Sequence, residues 1–235
     1  MEAEFYKEIH NPLIIEGFPG FGLVSTIALE FLISHLNTEV VGKVHSEKLP
    51  PMVAIHDGKM IEPIVLYHNP EFNILFIYSM LNPKGLEWDL GNLVFDIAKR
   101  TNARGILSIE GINRVTESGD KVFMFCNNSD MEKKFEERGL ERLREGIIMG
   151  VTSIILTNDR NKQVDCVFVE SMTEVPDSLG AARVVEILDK VIGFNIDTKP
   201  LVETAKIFED KLKKIMEHTQ AVAKRHKEED LNYVG

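Results

Sequence analysis

Cysteine is nearly absent from this chain, since its 235 residues include only Cys126 and Cys166. Two cysteines cannot by themselves complete a structural zinc site, and they favour ordinary thiols in a reducing cytosol over a disulfide. Long apolar runs are also missing, so no segment reaches the length of a membrane span. Residues 1–4 lack the basic and apolar regions of a secretory signal. We therefore expect a cytoplasmic protein without a membrane partner.

Positive charge is scarce as well. The chain carries 27 lysines and arginines against 37 aspartates and glutamates, which gives a formal net charge of −10. An acidic surface of this kind repels phosphates, so nucleic acid is not an expected partner. Apolar residues make up 44% of the chain, enough for a full core in one large α/β domain or one domain with an appendage.

The familiar catalytic and metal-binding motifs are absent too. The sequence contains no H-E-x-x-H, G-x-S-x-G or C-x-x-C, and its seven histidines show no metal-ligand spacing. It offers no convincing pair of nucleophile and base, so we predict no catalytic residue, no metal and no cofactor. Trp88 is expected in the core rather than on a stacking platform.

A glycine-rich turn at residues 16–22 follows an apolar run and precedes a helical pattern. Ile14 and Ile15 have the β-branching of a buried strand, and apolar residues recur at helical spacing from Val24. The G-x-x-G-x-G spacing is neither the dinucleotide fingerprint nor a P-loop. One interpretation is a tight turn that packs helix on strand; the other is a ligand loop at the carboxyl edge of a parallel sheet. The ligand candidates in the turn are Gly17, Pro19, Gly20 and Gly22.

Strands and helices alternate along most of the chain, which favours a largely parallel sheet covered by helices on both faces. Two predicted strands end at Glu110 and Glu170, where a carboxylate can face a ligand, and Arg114 lies just beyond the first. Each carboxylate can instead bind backbone N–H groups of its adjacent turn, and Arg114 can pair with Glu110. These three residues join the glycine turn as ligand candidates.

Local signals define several elements within residues 1–197, the predicted α/β domain. The dipeptide Asp57-Gly58 predicts a tight hairpin. Helical spacing predicts a buried helix over residues 146–156. Ser129 is expected to cap a short charged helix, and residue 177 or 178 a longer one.

Residues 198–235 differ in character and predict a helical extension, a long C-terminal helix followed by a tail. Its apolar residues alternate four and three apart, which is a heptad seam that can pack on the parent domain or on another subunit. The predicted oligomer contacts are Leu201, Ala205, Phe208, Leu212, Ile215 and Val222. Acidic residues near the helix end favour fraying, which leaves a short recognition peptide. Its residues are Leu231, Tyr233, Val234 and Gly235.

Several blocks taken together resemble the proteasome-assembly-chaperone family, in its archaeal and bacterial branch. The resemblance begins near Leu13, ends near Lys214, and depends on the order and spacing of the blocks. The blocks are residues 16–22, 46–51 with the hairpin after them, 146–153, 177–182, 193–197 and the final helix.

The resemblance implies a phosphorylase/hydrolase-like α/β fold, a three-layer sandwich with a mostly parallel sheet and without an established catalytic centre. It also implies homo-oligomers and, in archaeal members, binding to the 20S proteasome. Relatives end in a hydrophobic-tyrosine-any tripeptide that docks between proteasome α subunits. Here Tyr233 is third from the end and follows Asn232, which departs from that pattern.

Two functional hypotheses follow. The first is a non-enzymatic, homo-oligomeric adaptor that binds the 20S proteasome, a paralogous subunit or another protein complex. The alternative is a small-molecule or nucleotide-binding enzyme that uses the glycine turn, since some relatives are labelled ATP-grasp-like. The missing catalytic pair and the long helix with an aromatic tail favour the first.

Overall fold

The computed structural model describes residues 1–56, 58–113, 120–171 and 176–203. Within these ranges the strands are β1 (Glu2–Phe5), β2 (Leu13–Gly17), β3 (Glu39–His45), β4 (Ala54–His56), β5 (Lys59–Ile61), β6 (Ile64–Asn69), β7 (Ile74–Ser79), β8 (Gly105–Ile112), β9 (Val122–Cys126), β10 (Glu141–Arg142) and β11 (Val164–Glu170). The helices are α1 (Val24–His35), α2 (Glu87–Thr101), α3 (Ser129–Glu136), α4 (Gly150–Asn158), α5 (Ser178–Ile192) and α6 (Lys199–Glu203). None of the helices described here is long and apolar enough to cross a bilayer.

One large sheet organises the fold, with the strand order β1-β3-β6-β7-β2-β8-β11-β9-β10. Its centre is parallel, because β2 pairs with β7 and β8, and β8 pairs with β11. The pairs β1–β3, β3–β6, β6–β7 and β11–β9 are antiparallel, and β9–β10 is parallel. The four central strands therefore end together, at what we call the carboxyl edge.

Helices cover both faces of the sheet, which confirms the predicted three-layer α/β sandwich. Side chains of α1, α3 and α5 form the core on one face, and those of α2 and α4 form the core on the other. Neighbours on β2 show the alternation of a strand, since Ile15 lies in the first core and Ile14 in the second. Both side chains are fully buried.

Local capping chemistry sets the ends of α5 and the start of α3. Oδ1 of Asp177 accepts the Gly180 N–H at 2.7 Å, and α5 ends at Gly193, whose φ is +88°. At α3 the prediction was wrong by one residue. Asn128, not Ser129, is the cap, because its Oδ1 accepts the N–H groups two and three residues further on.

Two apolar residues expected in the core lie at the surface. The helix predicted over residues 146–156 begins only at Gly150, because that residue has φ +75° and Met149 is extended. Ile147 therefore precedes the helix and is 87% exposed. Trp88 lies in the first turn of α2 and is 62% exposed. Helical spacing alone could not separate these residues from the true core.

The predicted hairpin forms a small sheet of its own, made of β4 and β5. Ala54 pairs with Ile61, and both pack against the core on the α1/α5 face. Ile55 pairs with Met60 on the other side of the ribbon, and these two side chains are exposed. The hairpin therefore carries apolar residues on both of its faces.

The predicted C-terminal helix begins with α6. Leu201 is fully buried in the core on the α1/α5 face, and Thr198 Oγ1 lies 3.2 Å from Glu186 Oε1. The rest of the long helix stays a prediction. The residues of our predictions that lie outside the described ranges are Asp57, Arg114, Ala205, Phe208, Leu212, Ile215, Val222, Leu231, Tyr233, Val234 and Gly235.

Candidate functional site

The carboxyl edge combines the ends of the central strands with the starts of several helices. There β2 leads through the glycine turn into α1, β7 leads to α2, and β11 leads to α5. α4 also begins there, since Thr152 in its first turn reaches Glu110 near the end of β8. In open α/β sheets this is the edge where ligands usually bind.

Protein atoms already occupy the space beside the glycines of the turn. A Cβ at Gly17 would lie 2.5 Å from the Cβ of Ser25, whose hydroxyl donates to the Phe18 carbonyl at 2.7 Å. A Cβ at Gly20 would lie 2.3 Å from Oε1 of Glu110. The φ of Gly20 is −140°, so the close approach of Glu110, rather than a left-handed backbone, requires glycine here.

Gly22 holds the far end of the turn. Its φ is +61°, and a Cβ there would lie 2.0 Å from Oγ of Ser171. The N–H of Asp177 donates to the Gly22 carbonyl at 2.8 Å, which ties the turn to the start of α5. Packing therefore accounts for the glycines of this turn, and a ligand role for Gly17, Pro19, Gly20 and Gly22 stays a prediction.

Beneath the turn, two carboxyls and two hydroxyls lie together between the sheet and α4. Glu16 is fully buried on β2, and its neighbour across the parallel pair is Ser108 of β8. Oγ of Ser108 lies 3.0 Å from Oγ1 of Thr152. The Thr152 hydroxyl donates to Oε2 of Glu110 at 2.8 Å. We call Glu16, Ser108, Thr152 and Glu110 the carboxyl–hydroxyl chain.

Burial raises the pKa of both carboxyls. Desolvation raises the pKa of Glu16 to about 7, and the nearby Ser108 hydroxyl opposes this rise. Within the described residues, neither oxygen of Glu16 has a partner of normal hydrogen-bond geometry. Desolvation raises the pKa of Glu110 to about 8, while Thr152 lowers it and the charge of Glu16 raises it further. At neutral pH the pair therefore retains at least one proton.

The other predicted carboxylate has a different environment. Glu170 is fully buried at the end of β11, and its Oε2 accepts the N–H of Lys121 at 2.9 Å. The N–H belongs to the segment before β9 and not to the turn after β11, so a ligand role for Glu170 stays a prediction. Glu16 was not among the predicted site residues. Its one signal is a charged side chain inside the apolar run of β2, which is unusual for a buried central strand.

The described part of the chain offers neither a reactive thiol nor a metal cluster. Cys126 and Cys166 are both buried. Burial raises the pKa of Cys126 to about 12 and that of Cys166 well above its usual value. Nucleophilic thiol chemistry requires the thiolate, so neither cysteine suits it at neutral pH. No three His, Cys, Asp or Glu side chains in these ranges lie together as metal ligands would.

Most of the large apolar side chains exposed in the described residues lie at the carboxyl edge. Of those side chains, only Tyr6, which follows the edge strand β1, and Val40, on the neighbouring strand β3, do not. We call the others the carboxyl-edge rim: Val53, Ile55, Met60, Trp88, Ile147, Met149 and Leu179.

The topology explains how the rim assembles. β3 runs in the direction of β7 and ends at the same edge, just before the β4–β5 hairpin. Lys48 precedes the hairpin, and its Nζ lies 2.8 Å from Oδ1 of Asp89. Asp89 is next to Trp88 in the first turn of α2. Residues 147–149 lead directly into α4, and Leu179 lies in the first turn of α5. Exposed apolar surface gathered in this way is typical of a protein-binding site.

Comparisons with known proteins extend over nearly the whole chain. The model of the PAC2 family matches residues 14–216. PbaA of Pyrococcus furiosus, an archaeal homolog of proteasome-assembly chaperone, is similar with a TM-score of 0.80 and 27% identity, covering 94% of this chain and 99% of that chain. An uncharacterized protein of Methanocaldococcus jannaschii is 28% identical over 94% of this chain and 92% of its own length. PbaB of Pyrococcus furiosus, an archaeal proteasome activator, shares the fold with a TM-score of 0.70 and 20% identity, covering 91% of this chain and 97% of that chain.

Proposed function

Because this chain belongs to the PAC2 family, as its sequence predicted, we propose that it is a non-enzymatic adaptor that binds a proteasome-related protein complex. The observation that carries the proposal is the carboxyl-edge rim, where apolar side chains from four segments face the solvent. PbaA is described as a homolog of a proteasome-assembly chaperone, and its similarity supports a partner of this kind. More specifically, we propose that the partner is the 20S proteasome and that the adaptor works in the cytoplasm.

Burying the exposed side chains of the rim would stabilise a complex. Burying a large aromatic side chain removes 150–250 Å² from water, at about 25 cal/mol per Å². Covering Trp88, of which 62% is exposed, therefore contributes on the order of 3 kcal/mol before the costs of association. A standard interface buries about 800 Å² on each partner, so a partner must cover several rim residues together.

We also propose that the adaptor is a homo-oligomer assembled through the C-terminal seam. Leu201 already lies in the core of its own subunit, so the contacts between subunits begin at Ala205 and continue through Val222. Several copies of the rim and of the tail on one assembly would then bind a symmetric partner with avidity.

The rim is tested by the double variant Trp88→Ser with Ile147→Ser. Surface plasmon resonance measures its binding to purified 20S proteasome beside the wild-type protein. We expect at least about a tenfold loss of affinity, because both side chains are removed from the buried part of the interface. The matched control is Tyr6→Ser with Val40→Ser, which removes exposed apolar surface away from the rim and should leave the affinity unchanged. Equal losses in the two double variants, or no binding by the wild-type protein, would contradict the proposal.

The tail is tested by deleting Tyr233, Val234 and Gly235 and repeating the same measurement. If the tail anchors the adaptor, the deletion weakens binding because the tyrosine no longer fills an apolar slot in the partner. Unchanged binding would leave the rim as the docking surface and exclude the tail from it.

A further inference from the structure

We infer that Glu16 and Glu110 share one proton through Ser108 and Thr152, and that this proton keeps the glycine turn closed over the end of β8. The inference assigns a proton-binding site inside the subunit. It does not depend on the proposed function, because the site and the turn belong to one chain and can be studied without a partner.

The donors and acceptors of the carboxyl–hydroxyl chain permit two directions of hydrogen bonding. Each hydroxyl has a single proton to donate. If Thr152 donates to Glu110, then Ser108 donates to Thr152, and only a protonated Glu16 can complete the chain by donating to Ser108. In the opposite direction a protonated Glu110 donates to Thr152, and Ser108 donates to an ionised Glu16. Each direction contains one carboxyl proton and one negative charge, so one proton completes the chain once Glu16 bonds Ser108, a link that does not have normal hydrogen-bond geometry in the structure.

The glycine turn covers the outer end of this chain. Oε1 of Glu110 lies so near Gly20 that no side chain fits between them, and the Leu23 N–H donates to the Gly20 carbonyl at 3.1 Å. Loss of the shared proton would leave two carboxylates in an apolar environment. Two such charges repel each other and require water, and Gly20 of the turn lies directly against Oε1 of Glu110. Full ionisation should therefore favour opening of the turn.

Among the residues that the structure describes, no positive charge offsets the pair. Of the charged groups in the described ranges, Glu16 is the only one that shifts the pKa of Glu110, and none shifts that of Glu16. The Cys166 thiol on β11 is near enough for both carboxyls to raise its pKa, so it stays neutral. The acids in the first turn of α2 have partners elsewhere, since Glu87 accepts a backbone N–H and Asp89 binds a lysine. Within the part of the chain that the structure describes, the proton is thus the source of neutralisation.

Amide hydrogen exchange by NMR tests the inference on the full chain at about pH 6 and about pH 9. Two amides are protected when the turn is closed. The Leu23 N–H donates to the Gly20 carbonyl, and the Asp177 N–H donates to the Gly22 carbonyl. After correction for intrinsic exchange rates, we expect their protection to fall at least about tenfold at the higher pH, and to fall further than that of the central-strand amides, which report global stability. Equal protection of the Leu23 and Asp177 amides at both pH values would overturn the inference.

Two glutamine variants show whether the carboxyl proton is responsible. The amide of Glu110→Gln can donate permanently to Thr152, as the shared proton does, so protection should stay high at both pH values. Glu16→Gln should behave in the same way, and it serves as the test if the first variant fails to fold. A fall in either folded variant as large as in the wild-type protein would overturn the inference.

A pair of threonine variants tests the hydroxyl link. Thr152→Val breaks the chain and should lower protection of the turn already at about pH 6. Thr26→Val is the matched control, because Thr26 is buried and its Oγ1 has no partner within the described residues. Equal effects of the two substitutions would mean that the chain does not hold the turn.

Discussion

Replacing Glu16 by glutamine should change how the stability of the fold depends on pH. Glutamine has nearly the same shape as glutamate but carries no ionisable proton, so Glu16→Gln leaves packing similar and removes one titration. In the folded chain burial raises the pKa of Glu16 to about 7, from 4.5 for a glutamate without this burial. The two states of the protein therefore bind different numbers of protons on this residue.

The sign of the effect follows from proton linkage. Between pH 4.5 and about pH 7 the folded chain keeps the Glu16 proton that the unfolded chain has released. The free energy of unfolding therefore falls as the pH rises through this window and levels off above the folded pKa. At about 1.4 kcal/mol for each pH unit of difference, the shift corresponds to about 3 kcal/mol lost from the wild-type protein and retained in the variant.

Urea unfolding at about pH 5 and about pH 9 measures this difference. The substitution can also change the free energy of unfolding by an amount that does not depend on pH, for example through a small change in packing. This amount cancels when the stability difference at one pH is subtracted from that at the other. We expect the variant to gain about 3 kcal/mol relative to the wild-type protein between them. Glu145→Gln, at an exposed position, should give no such gain. A stability difference between Glu16→Gln and wild type that does not change with pH would refute the reasoning.

Three further substitutions test other parts of the structure. Gly20→Ala places a methyl group against Glu110 and should lower the urea unfolding free energy by about 1–3 kcal/mol, whereas Gly105→Ala, with its nearest atoms 3.7 Å away, should cost less. Asp177→Ala removes the cap of α5 and should cost about 1 kcal/mol, seen as a lower melting temperature in a calorimetric scan. Phe208→Glu with Leu212→Glu should dissociate the proposed oligomer in light scattering at micromolar concentration; a monomeric wild-type protein would contradict the seam.

The layered fold could be predicted because its signals are local. Apolar runs predict the central strands, and Asp177 and Gly193 bracket α5 in the sequence as they do in the structure. Elements with weak local signals were missed. β1 alternates exposed glutamates with Ala3 and Phe5 and becomes a strand only by pairing with β3, a contact that its four residues do not reveal.

The candidate site was harder to predict because its contacts join distant parts of the chain. The glycine turn was visible, but its contact with Glu110 arises from the order of β2 and β8 in the sheet. Thr152 joins them only because α4 starts at the same edge. The prediction that Trp88 lies in the core was wrong, because helical spacing does not show which face of the first turn of α2 is covered, and Trp88 forms part of the rim.

The position of α4 connects the buried acid pair to the rim. Thr152 in its first turn is bonded to Glu110, while Met149 and Ile147, just before that turn, lie exposed in the rim. A change in the protonation of Glu110 therefore acts on the same short segment that the proposed partner would cover. If the partner binds the closed state more tightly, linkage requires that it also raise the affinity of the pair for its proton. Proteasome affinity should then fall from about pH 6 to about pH 9 in the wild-type protein but not in Glu110→Gln. A similar fall in both proteins would place the pH dependence in the partner or in direct contacts, and not in the acid pair.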